Sequence, residues 1–407
     1  MCPLVYLGRV LRLSITPDPN TTVVQYRKGD NKHMTLLIEH AATFAERVSM
    51  LQLVDTDIHN DLPSLEELRP YLARKWHPWL DSSGPGSASR YYANMGSGRM
   101  DDAVNEEDGL AAGSPDWVIQ QLITKYRIDR GVLTGSVIGL GIQHDYHIQA
   151  AIASAYNEWT LDRWVRPYEC FKGSIICPVQ DVEASAAEVR RLGQNPGMVQ
   201  VLLPSAARIP YGNKVYWPIY RAAVEHDLPV AIHVGSEGTG IANPPTAVGY
   251  PSTYLEFHTD HSQTMMAHCI SLIADGVFEE LPTLKFAFIE GGTVWAPYVM
   301  GRLDRLYPAL KAEVPYLTMR PSEYLLRNCY FSTQPIEEPT DHRQLIQMLR
   351  MMHAEKTVVF ASDYPHWDFD NPLMAFNFFP EDLKRRIFVE NAVEMYGPRL
   401  LESNRGA

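Results

Sequence analysis

Apolar runs recur along the chain, and several close on a charged or imidazole side chain. Leu51-Gln52-Leu53-Val54 leads into Asp57-Ile58-His59, and Pro229-Val230-Ala231-Ile232 into His233. Leu284 to Ile289 leads into Glu290, and Val358 to Ser362 into Asp363. Runs that are continuously apolar, not alternating, read as parallel strands buried on both faces. Further strands are expected over Gly131–Leu140, Gly173–Val179, Met198–Pro204 and Asn328–Gln334. Between them lie segments with apolar residues at helical spacing: 117–126, 147–165, 182–192, 217–226, 262–278, 295–310, 343–353 and 381–396. Strictly alternating strand and helix signals mean parallel strands joined by right-handed crossovers. Eight such units predict an α/β chain folded as a (β/α)8 TIM-like barrel, with its active site at the C-terminal ends of the strands.

The pattern also sets boundaries. Residues 1–50 read as an N-terminal arm, with Met34 and Met50 as alternative starts, residues 51–400 as the barrel, and 401–407 as a tail. A stretch rich in Gly, Ser, Asp and Asn over 76–115 follows the first strand, and a loop of that length in a compact domain reads as a lid over the mouth.

Composition narrows the function classes. A net charge of −12 and a pI near 5.6 argue against non-specific binding to nucleic acid or anionic membrane. No apolar stretch is long enough to span a bilayer, and the first residues lack a signal-peptide cleavage pattern. The five scattered cysteines have no C-x-x-C spacing, which suits a reduced, cytoplasmic protein. There is no phosphate-binding glycine loop and no G-x-S-x-G elbow.

The candidate chemistry is metal chemistry. Asp57 and His59 are two apart on a strand, so their side chains share one face and can chelate one ion. His233, Glu290 and Asp363 enter from the fifth, sixth and eighth strands. A mixed imidazole and carboxylate set suits Zn, Mn or Fe, as one ion or two.

The sequence is similar to the amidohydrolase superfamily, in the amidohydrolase-related branch that includes aminocarboxymuconate-semialdehyde and resorcylate decarboxylases. The resemblance is carried by Val54-Asp55-Thr56-Asp57-Ile58-His59, Ala231-Ile232-His233, Gly276 to Pro282, Ile289-Glu290-Gly291-Gly292, Gly301-Arg302-Leu303-Asp304, Pro321-Ser322-Glu323-Tyr324 and Ser362-Asp363-Tyr364-Pro365-His366. It implies metal ligands on the first, fifth and eighth strands, an assisting sixth-strand His, a small-molecule carboxylate substrate and a homodimer. Two positions depart from the branch: its H-x-H is Asp57-x-His59 here, and its sixth-strand His is Glu290. Both changes make the site more anionic, which leans toward Fe or Mn.

The expected metal set is Asp57, His59, His233, Glu290 and Asp363, with Glu290, Asp363 and His366 as catalytic candidates. Arg208 and Arg302 are candidates to clamp a substrate carboxylate, Arg302 alternatively pairing with Asp304 or Glu323. Trp295 and the Trp76–Trp79 region are expected to wall the mouth. Asp55, His144, His147, His258 and His261 are further polar residues near the strand ends, and His268 is expected in the core. The leading expectation is hydrolysis or non-oxidative decarboxylation of a carboxylate-bearing small molecule. A non-haem (di)iron oxygenase hydroxylating a terpenoid or polyketide intermediate is the alternative. A catalytically retired binding or scaffold barrel is the third.

Overall fold

The computed structural model describes residues 43–82, 98–135 and 144–404, together with four strands between residues 5 and 39. The chain divides into two compact units, Met1–Leu51 and Gln52–Ala407. In the first, strands Val5–Tyr6, Arg9–Ile15, Thr21–Lys28 and Lys32–Glu39 form an antiparallel sheet in chain order. Helix Phe44–Met50 follows, opened by a capping box between Thr43 and Glu46. The residues read as an arm therefore carry a small sheet and a helix.

The second unit is built on eight parallel strands: β1 (Val54–Ile58), β2 (Arg130–Leu133), β3 (Phe171–Ile176), β4 (Met198–Pro204), β5 (Val230–His233), β6 (Phe286–Ile289), β7 (Cys329–Ser332) and β8 (Val358–Val359). They pair in chain order. The ring closes where Thr56 N donates to Phe360 O at 3.0 Å and Ile58 bridges Tyr364 in parallel. This is a (β/α)8 barrel. Of the strand expected over Gly131–Leu140, residues 136–140 lie outside the described residues, as do 83–97 of the expected lid.

β8 is shorter than the expected Thr357–Asp363, for a reason visible in its hydrogen bonds. Beyond Val359 the amides leave the ladder: Phe360 N donates to Ile387 O, Ala361 N to Thr333 Oγ1 and Ser362 N to Asp55 Oδ1. Side chains thus tie β8 to its neighbours on both sides. Helices surround the barrel, with polar caps where the chain leaves a strand. Asp181 caps Val182–Leu192, Asp341 caps His342–Met351, and a Thr253–Glu256 capping box opens Tyr254–Ala274. That box starts the last helix well before the expected Ser262.

Register fixes the level of the site. His233 stands opposite Pro204 on β4 and Ile289 on β6, so the residues after each strand meet at one end of the barrel.

Candidate metal centre

Five side chains from four strands converge at the C-terminal mouth. Asp57 and His59 come from β1 and the residue after it, His233 from the end of β5, and Glu290 and Asp363 from the turns after β6 and β8. One ligand atom from each of Asp57, His59, His233 and Glu290 lies within 4.8 Å of the others, and the same holds for His59, Glu290, Asp363 and His366. His59 Nε2 is 3.0 Å from Asp363 Oδ1, and His233 Nε2 is 3.3 Å from Asp57 Oδ2 and 3.2 Å from Glu290 Oε2. Glu290 and Asp363 both hold left-handed backbone, at φ 55 and 57. That conformation is unfavourable for a side chain with a Cβ and concentrates at functional sites. It turns both carboxylates inward just as the strand ends.

The supporting contacts orient these donors. His59 Nδ1 lies 2.8 Å from Gly135 O and His233 Nδ1 2.6 Å from Val234 O. In each bond Nδ1–H donates to a carbonyl, which keeps the proton on Nδ1 and turns Nε2 toward the centre. Thr134 Oγ1 donates to Asp57 Oδ1 at 2.5 Å, and Asp57 N and Ser362 N both donate to Asp55 Oδ1. Ser332 Oγ accepts the Glu290 amide at 3.0 Å.

The electrostatics are those of anions crowded without a cation. Burial, then Asp363 and Asp57, push the Glu290 carboxyl well above the usual range. Burial raises Asp363 to about 7, against the pull of His59. For Asp57 burial works upward too, but His233 and His59 outweigh it and bring it to about 2. Burial and then His366 depress His59; burial and then Arg99 take His366 to about 3, so His366 is neutral and its Nδ1–H donates to Asp363 Oδ1 at 2.6 Å.

Among the described residues, four buried atoms of this cluster have no hydrogen-bond partner: Asp57 Oδ2, His59 Nε2, His233 Nε2 and Asp363 Oδ2. Buried polar atoms are normally satisfied, and here the unsatisfied ones face one another. A mixed oxygen and imidazole-nitrogen set with bare lone pairs fits a divalent metal ion.

The other candidates fall elsewhere. Trp295 is 6% exposed, donates Nε1 to the carbonyls of Gly291 and Gly292, and packs edge-on against Phe288 and Phe331. It props the turn after Glu290 from within the core and does not wall the mouth. Arg302 is exposed on helix Ala296–Leu310, and Asp304, its expected partner, instead accepts from Ser322. Arg208 is exposed beside a cavity of about 370 Å³ lined also by Gln180, Ile209 and Tyr216, apart from the five converging side chains. Trp76 and Trp79 are half-buried between Arg74 and Ser82, and His144 and His147 are exposed. His268 is buried and hydrogen-bonded. Thr134 and the Gly135 carbonyl were invisible in the sequence, because loop geometry alone brings them to Asp57 and His59. So were the His258–Asp368 pair at 3.0 Å and the buried Glu237, hydrogen-bonded to Ser205 and Gly235.

Comparison with known proteins identifies the family. Residues 120–397 match the family described as Amidohydrolase. The chain is 23% identical over 233 residues to gamma-resorcylate decarboxylase of Polaromonas sp. (53% of this chain, 66% of that protein). It is 27% identical over 195 residues to 2-keto-4-carboxy-3-hexenedioate hydratase of Sphingobium sp. (46% and 49%). The aligned regions thus span between about half and two thirds of those curated relatives. The structure of 5-carboxyvanillate decarboxylase from Novosphingobium aromaticivorans, complexed with manganese and 4-hydroxy-3-methoxy-5-nitrobenzoic acid, superposes with a TM-score of 0.63 at 21% identity, covering 85% of this chain and 96% of that one. Among the described residues no helix is long and apolar enough to cross a membrane. With more than half its length matched by the family, the chain belongs to the amidohydrolase family.

Proposed function

We propose that this chain is a metal-dependent carboxy-lyase that removes CO2 without oxidation from an aromatic carboxylate. The observation that carries the proposal is the ring of buried, partnerless donor atoms on Asp57, His59, His233 and Asp363. The names of the relatives, for decarboxylation and hydration of carboxylated compounds, support the reaction class. None of those reported is named for oxygenation, and the decarboxylase reading is preferred over the iron oxygenase.

Asp57, His59, His233 and Asp363 would hold the ion, manganese by preference given the hard donors. Bound there, it would offset the carboxylates' charge and polarise a substrate oxygen. In the reaction the bond from ring carbon to carboxylate breaks, CO2 leaves, and the ring carbon takes up a proton. We assign that proton to Glu290, which faces the same centre 3.2 Å from His233 and whose carboxyl burial pushes well above the usual range. His366 positions Asp363 through its Nδ1–H. In this reading the described residues 98–115 of the expected lid cover the mouth. In support, Arg99 bridges His366, Met100 N donates to Pro365 O, and Arg99 reaches Asp61 at 2.5 Å.

The test is anaerobic CO2 release from a panel of hydroxylated benzoates by protein loaded separately with Mn, Zn or Fe. Metal-dependent release is expected; full activity without metal, or turnover only with O2, overturns the proposal. A cytoplasmic homodimer belongs to the same reading; the free thiols of Cys170, Cys177, Cys269 and Cys329 support the compartment alone. Sedimentation as a 46.1 kDa monomer at micromolar concentration removes the dimer.

A further inference from the structure

Helix Tyr254–Ala274 follows β5 and turns one face toward the strand ends. On that face His268 Nε2 lies 2.8 Å from Ser205 O, just past β4, and its Nδ1 accepts from Tyr211 N. One turn earlier, Met265 packs so closely on Gly291 that a Cβ there would collide with the Met265 side chain. Gly291 is the residue after Glu290. One turn earlier again, on the same face and about 6 Å further along the axis, stands His261.

His261 is 6% exposed, and neither of its ring nitrogens has a hydrogen-bond partner among the described residues. His268, on the same helix face and equally buried, has both nitrogens satisfied. Leaving a buried donor or acceptor unpaired is unfavourable, and an unpaired one in a native site points to a group that arrives later. The surroundings are aromatic. The Phe257 ring stands edge-on at 4.7 Å and the His258 ring lies 4.8 Å away. His258 is held by Asp368 at 3.0 Å, with the Trp367 ring at 5.9 Å. Burial holds His261 well below the ordinary histidine range, so it is neutral, with one N–H and one bare nitrogen.

We propose that His261 and the aromatic side chains around it form a substrate-recognition subsite, in which one His261 ring nitrogen hydrogen-bonds a hydroxyl on the aromatic ring. This rests on the aromatic carboxylate reading above. A hydroxyl both donates and accepts, so it suits either tautomer of a neutral imidazole, and the second nitrogen is left to water.

Calorimetric titration of manganese-loaded protein with two probes tests it: 4-hydroxy-3-methoxy-5-nitrobenzoate, and 3-methoxy-5-nitrobenzoate, which lacks the hydroxyl. In His261→Phe, affinity for the hydroxylated probe should fall by about tenfold or more, with affinity for the other and metal content unchanged. His261→Asn, which restores one donor and one acceptor, should recover part of the loss. Equal affinity of His261→Phe and wild type for the hydroxylated probe overturns the inference, as does an equal loss for both probes or a loss of metal. If wild type binds neither probe and releases no CO2 from hydroxylated benzoates, the substrate reading itself fails and the subsite falls with it. If wild type is active and only the His261 comparison fails, the reading stands and the subsite is wrong.

Discussion

The barrel buries polar groups at both ends, and the two ends treat them oppositely. At the N-terminal end, Lys172 on β3 donates to Pro196 O, Glu402 O and Asn404 Oδ1 at 3.0, 2.8 and 2.8 Å. Asn404 Nδ2 in turn donates to the carbonyls of Val165, Tyr168 and Phe171, and Gln200 is held between Ser174 and Tyr396. Every polar atom in that cluster finds a protein partner. At the mouth, Asp57, His59, His233 and Asp363 are buried as deeply, yet each keeps an atom with none. Polar groups that close on themselves stabilise a fold, whereas groups that stay open await a ligand. Asn391 Oδ1 and Trp164 Nε1, near the starts of β8 and β3, also lack partners among the described residues, so what marks the mouth is the convergence of several carboxylate and imidazole atoms on one point.

The largest expected effect is at the open end. Asp363→Ala removes a candidate ligand and should abolish metal retention, with turnover down by about 10³-fold or more, given several kcal/mol of metal stabilisation. Elemental analysis and CO2 release check it; a variant that keeps its metal and its rate means the centre has been misplaced. Glu290→Gln keeps shape and removes the acid. Metal content should persist while turnover falls by about 10²–10⁴-fold. A fall in metal content would instead make Glu290 a ligand. Glu290→Gln should leave the stability of the metal-free protein nearly unchanged, since the amide keeps the carboxyl's shape and brings no charge into the buried site.

The closed end predicts the reverse. Lys172→Met strands the two carbonyls and Asn404 Oδ1, which should lower unfolding free energy by about 1–3 kcal/mol. Metal content and turnover per folded molecule should not change. Urea denaturation beside elemental analysis reads both, and a loss of metal without a loss of stability would erase the distinction between the ends.

What the sequence reveals divides along a similar line. Strands buried on both faces read as continuous apolar runs, and Met198–Pro204 was expected and found over the same residues. The ends of those runs name the candidate ligands, since a strand delivers its next residue to the mouth by geometry alone. Contacts made by loops and by side-chain direction are not written that way. Trp295 looked like a wall because it is large and near Glu290, but its ring turns back under Gly291. Nothing in the sequence sets Asp304 apart, yet it accepts from Ser322 N and Oγ and not from Arg302. The helix that carries His261 starts ahead of the expected Ser262 because the Thr253–Glu256 capping box, not apolar spacing, sets where it begins.

The smallest expected effect concerns Asp55, where the two behaviours meet. Its Oδ1 accepts from Asp57 N and Ser362 N, tying β1 to the turn after β8, while its Oδ2 has no partner among the described residues. Burial raises this carboxyl from 3.8 to about 7. Between those values the folded, metal-free protein holds a proton that the unfolded chain has released. Stability therefore falls as pH rises through that window. Asp363 is raised to about 7 as well and adds a slope of the same sign. Asp55→Asn keeps the Oδ1 acceptor and cannot ionise, so it should make the fall shallower without removing it, and leave metal content unchanged. Urea denaturation of metal-free wild type and variant at several pH values across the window decides the matter. An identical slope in both proteins would mean that Asp55 is already ionised in the fold, its second oxygen satisfied by a partner such as water.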